Sequence, residues 1–98
     1  MEITELMNFM AVLPNICLSG EMIGGTKLTM RYNLVDISDA EGTELIIESD
    51  FINSLDISRA KITRVVLIGN FNIVDASNFE GKLDTTGARI VKLDSSQY

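Results

Sequence analysis

Residues 52–67, INSLDISRAKITRVVL, decide how this chain is read. Ile57, Ile62 and Leu67 recur there at five-residue intervals, which matches neither the 3.6-residue period of a helix nor the alternation of a half-buried strand. Such a step hints at a solenoid, but it stops after Leu67. Residues 52–63 are therefore expected to form a turn or a short helix.

The flanking segments read as strands. RVVLIGNFNIV (64–74) is rich in β-branched and aromatic residues, and GARIVKL (87–93) has the same character. Upstream, Ile16 to Ser19 suggests a short strand. KLTMRYNL (27–34) alternates, with Leu28, Met30, Tyr32 and Leu34 on one side. Val35 breaks that alternation and suggests a bulge. TELIIESDF (43–51) then completes a hairpin across residues 39–42.

Residues 30–42, MRYNLVDISDAEG, match residues 69–81, GNFNIVDASNFEG, at six of thirteen positions. Ser, Asp and Asn side chains bond to nearby backbone in turns, and Gly accepts positive φ, so each copy reads as a strand running into a turn. This internal repeat lies within a single domain, residues 1–98.

The N-terminus reads differently. Ile3, Leu6, Met7, Met10 and Leu13 have helical spacing and Pro14 supplies a stop, predicting a helix from Ile3 to Leu13. Its apolar arc spans about 200°, wider than the ~100° that docking on one surface requires. The helix is therefore expected to be covered on two sides. The fold expected is α+β: this helix on an antiparallel sheet of two related hairpins. An all-β barrel with an appended helix is the alternative.

Charge is unevenly placed. Residues 1–50 carry nine acids and two bases, and residues 51–98 carry five acids and six bases. No basic cluster is present to neutralise phosphates, so direct nucleic-acid binding is not expected. The absence of histidine removes Ser-His and Cys-His nucleophilic pairs and most zinc sites. The single cysteine, Cys17, reads as a small buried hydrophobe and points to a reducing, cytoplasmic setting. No apolar run approaches the ~20 residues of a membrane span.

Three motifs fail on inspection. Aligning Gly42 with the glycine of a calcium loop puts Asp39, Glu41 and Glu48 in ligand places, but Ile37 occupies the first and the flanks are strands. Gly20 and Gly25 have P-loop spacing, but Thr26-Lys27 reverses the required order. In LDTTGA, Thr86 interrupts the Asp-Thr-Gly triplet of aspartic proteases at Asp84. Neither catalytic residues, a cofactor nor a metal site is expected.

With 46% hydrophobic residues, the chain has more apolar side chains than a small domain readily hides. The expectation is a non-enzymatic assembly module forming a homo-oligomer through Ile3, Leu6, Phe9, Met10 and Leu13. The alternative is an acidic inhibitor presenting Asp39, Glu41, Glu44, Glu48 and Asp50 to a basic protein partner, such as the groove of a nucleic-acid enzyme.

Overall fold

The structure, a computed structural model, describes residues 6–13, 16–23, 29–31 and 33–95. The chain runs through β1 (Leu6–Leu13), β2 (Ile16–Ile23), β3 (Thr29–Arg31), β4 (Leu34–Asp36), β5 (Glu41–Asp56), β6 (Lys61–Ala76) and β7 (Lys82–Ser95). All seven belong to one sheet, and the described residues contain no helix.

From Leu34 onward that sheet winds into a solenoid. The inward residues come in pairs two apart, followed by a gap of three: Val35 and Ile37, Leu45 and Ile47, Leu55 and Ile57, Ala60 and Ile62, Val65 and Leu67, Val74 and Ala76. Each pair fills one short flat face, and the gap is the corner at which the chain turns. All of these side chains are buried, and together with Ile52, Phe71 and Phe79 they form the core.

One corner recurs with the same chemistry in every coil. The Asp36 carboxylate accepts from the Ser38 N–H at 3.0 Å and from its hydroxyl at 2.8 Å. Asp56 does the same with Ser58, and Asp75 accepts from the Ser77 N–H. A backbone bond closes each turn, from Ala40 N–H to Ile37 C=O, Ala60 N–H to Ile57 C=O and Phe79 N–H to Ala76 C=O. These are aspartate-capped turns, in which a side chain satisfies a backbone donor that the bend leaves without a ladder partner.

Successive coils stack in parallel. Leu34 lies beside Ser54, Ser54 beside Ile73 and Ile73 beside Lys92, so the first coil takes 20 residues and the next two take 19. The shortening occurs at Gly69. Ser49 pairs with Gly69, but the next partners are Ile52 and Phe71, so Asp50 and Phe51 bulge opposite Asn70 alone. Gly69 has φ of 111°, a conformation that side chains disfavour, and its α-carbon lies against the Ser49 carbonyl.

The N-terminal end is covered by strands of opposite sense. β2 runs antiparallel to β5, from Ile16 beside Ser49 to Met22 beside Gly42, and β1 runs antiparallel to β2. Gly42 occupies an inward position, and a β-carbon there would lie 2.6 Å from the Met22 sulfur, so the methionine occupies space that a larger residue would need. β3 pairs with β4 on the adjoining face. At the other end β7 pairs, among the described residues, with β6 alone.

Four expectations are corrected. The helix from Ile3 to Leu13 is the strand β1 over its described part, so the α+β class gives way to an all-β solenoid; Ile3 lies outside the described residues. The barrel with an appended helix fails too, since the sheet winds into open coils and no helix is described. The turn at residues 39–42 is a coil corner that leads to parallel pairing one coil on, not a hairpin. Residues 52–63 are neither helix nor simple turn, but the end of β5, a corner and the start of β6.

Candidate functional site

Stacking brings residues about one coil apart in sequence into lateral contact, and part of the acidic segment is neutralised that way. Asp39 meets Arg59 at 3.4 Å. Glu44 meets Arg64 at 2.8 Å, and the same guanidinium reaches Asp84 on the following coil at 3.2 Å. Glu41 lies beside Lys61 in the ladder. These pairs are solvent-exposed and add little stability, but they offset the charge of Asp39, Glu41 and Glu44. Glu48 and Asp50 are exposed and make no ion pair among the described residues.

The three acids that the rejected calcium-loop alignment puts in ligand places are dispersed. Asp39 sits at a corner, Glu41 starts the next face and Glu48 lies beside Ile68 on another. Among the described residues no group of three or more histidine, cysteine, aspartate or glutamate side chains is placed to hold a metal ion. Gly20 belongs to β2, not to a phosphate-binding turn, while Gly25 to Lys27 lie outside the described residues. No helix among the described residues is long and apolar enough to cross a membrane.

Two carboxylates have lowered pKa values, and both are turn caps. The Ser38 N–H and then its hydroxyl stabilise ionised Asp36, with a smaller contribution from Arg59. The Thr86 N–H and hydroxyl act alike on Asp84, helped by Arg64. A carboxylate whose pKa falls on folding stabilises the fold above its ordinary value of 3.8 and loses that contribution as pH drops through the lowered value. We expect the urea midpoint to decline below about pH 4. Asp36→Asn, which keeps the acceptor oxygen but cannot ionise, should flatten part of that decline; an unchanged acid limb would exclude Asp36 as a source.

A shallow depression of about 760 Å³ is lined by Arg59, Lys61, Lys82 and Glu80, with Thr63, Asn78 and neighbouring apolar atoms. It gathers three cations about one carboxylate.

The ends of the solenoid are the other places where chemistry is left open. At one end, Leu6, Phe9, Met10 and Leu13 lie on the edge strand β1, where Met10 is 70% exposed. At the other, Val91 is 79% and Leu93 38% exposed on β7. Sequence reasoning missed this second edge entirely. Its signal was Val91 itself: the corner equivalent to Val91 holds Asn53 and Asn72 in the preceding coils.

Comparison with protein-family models, with curated proteins and with solved structures finds no match to the chain.

Proposed function

We propose that this protein is a non-enzymatic assembly module, a short β-solenoid that associates through the outer edge of β7. The observation that carries the reading is the edge itself. β7 is fourteen residues long, pairs among the described residues with β6 on one side only, and exposes Val91 and Leu93. Unpaired N–H and C=O groups on a long edge form a template for another strand, and native proteins that stay monomeric usually cover or interrupt such an edge. Here the N-terminal end carries antiparallel strands, while β7 has no such cover among the described residues.

The acidic-inhibitor reading has less support, because Asp39 and Glu44 already bind arginines of the next coil. Size-exclusion chromatography with light scattering tests the assembly reading. A mass above the 10.8 kDa of one chain, rising with concentration, is expected. A strict monomer at millimolar concentration would remove it.

A further inference from the structure

We propose, resting on that reading, that the occupant of the β7 edge is a second copy of the same chain. Its β7 would lie antiparallel to the first about a two-fold axis at the Val91–Lys92 corner. Three observations lead there.

The first is a row of corner residues. Asn33, Asn53 and Asn72 occupy the same corner in successive coils: the Asn53 N–H donates to the Asn33 carbonyl at 2.8 Å, and the Asn72 amide donates to the Asn53 side-chain oxygen at 3.0 Å. In the last coil the row ends in Val91, the most exposed large hydrophobic residue among those described. An asparagine there would continue the ladder of amides. A valine there suits a corner that is covered.

The second is the pattern of inward side chains on β7. Ala88 and Ile90 precede the corner, partly buried, and Leu93 follows it. Ile90 and Leu93 are equidistant from the boundary between Val91 and Lys92. A two-fold axis there sets Ile90 of one copy opposite Leu93 of the other, and Val91 of each copy opposite Lys92 of the other, so that the lysine stem covers the valine. Inward residues then meet inward residues even though the corner shifts their alternation.

The third is charge. The middle residues of the three successive faces on β7 are Asp84, Arg89 and Asp94. Asp84 is already held by Arg64, whereas Arg89 and Asp94 make no ion pair among the described residues. The axis at the Val91–Lys92 corner sets Arg89 opposite Asp94 of the second copy twice over. An axis at Arg89 would instead set arginine against arginine and Asp84 against Asp94. Like charges directly opposite one another destabilise a strand pair, so the alternation of sign favours an axis at a corner over one at Arg89, and the engagement of Asp84 by Arg64 favours the Val91–Lys92 corner over the one before it.

Sedimentation equilibrium and light scattering on the full chain test the pairing. The wild type should form a closed dimer and stop there. Val91→Asn, which offers Asn72 another amide, should keep the far-ultraviolet circular dichroism and weaken dimerisation at least tenfold. Arg89→Asp should also weaken it at least tenfold, and the double variant Arg89→Asp with Asp94→Arg should restore most of the loss, because the pair is only exchanged. Dimerisation unaffected by Val91→Asn, or no recovery in the double variant, would overturn the two-fold pairing. Growth beyond the dimer would overturn it as well while leaving assembly through the edge intact. A strict monomer overturns both.

Discussion

Gly69→Ala should lower the stability of the solenoid by about 3 kcal/mol, read as a fall in the urea midpoint with an unchanged slope. Two costs combine at this position. Gly69 adopts φ of 111°, where a side chain strains the backbone, and an added β-carbon would collide with the Ser49 carbonyl of the coil beneath. The coil cannot relax by sliding, because Gly69 is the point at which a 20-residue turn becomes a 19-residue one. Any movement there would carry Phe71 out of line with Ile52 and Ile90. Against a total stability of about 5–15 kcal/mol for a domain, the loss is large. A midpoint equal to that of the wild type would show that the shortened corner is not strained in this way.

Phe71→Ala should cost about as much or more, in the range of 3–5 kcal/mol found for emptying a buried phenylalanine site. Phe71 is 1% exposed and is stacked between Ile52 of the coil before and Ile90 of the coil after. In a solenoid each coil touches only its neighbours, so no distant element can move in to fill the space. For a domain of this size a loss of that order lowers the melting temperature by roughly 15 °C or more. Phe71→Leu, which keeps most of the volume, should recover the greater part; equal losses for the two variants would mean that ring volume is not what holds the coils together.

Part of this architecture was legible in the sequence, and the illegible part has identifiable causes. The five-residue step through Ile57, Ile62 and Leu67 extends backward through Ile52, Ile47 and Ile37, all buried. It was hidden because Gly42 occupies one of its places beside Met22, and because the shortened coil moves the next to Phe71. The match between residues 30–42 and 69–81 was found, yet the segment between them, LDISRA at 55–60, was overlooked. It lies one coil after VDISDA at 35–40. At the outward positions Arg59 stands in the place of Asp39 and Lys61 in that of Glu41, and opposite charges on adjacent rungs attract. The stacking that makes the repeat also erodes its signature.

The N-terminal segment failed for a different reason. Leu6, Met7, Phe9, Met10, Val12 and Leu13 are apolar on both parities of a strand, and such a run also fills a broad helical arc. What decides between them is the complementary segment, residues 16–23, which pairs with β1 from Leu6 beside Ile23 to Leu13 beside Ile16. The acidic cluster was visible as composition, but its neutralisation was not, since Arg59 and Arg64 lie one coil away in sequence.

The separation between cap, coils and edge gives the molecule a modular length. Among the described residues β2 and β3 pair with the first coil, and the outer edge of β7 belongs to the last, so the middle coil, residues 54–72, fixes neither end. Each coil adds one inter-strand spacing of about 4.8 Å along the axis. A lineage could therefore lengthen or shorten such a spacer by whole rungs through duplication or loss of this segment. The distance between the two ends would change in fixed increments, while the chemistry of each end stayed the same.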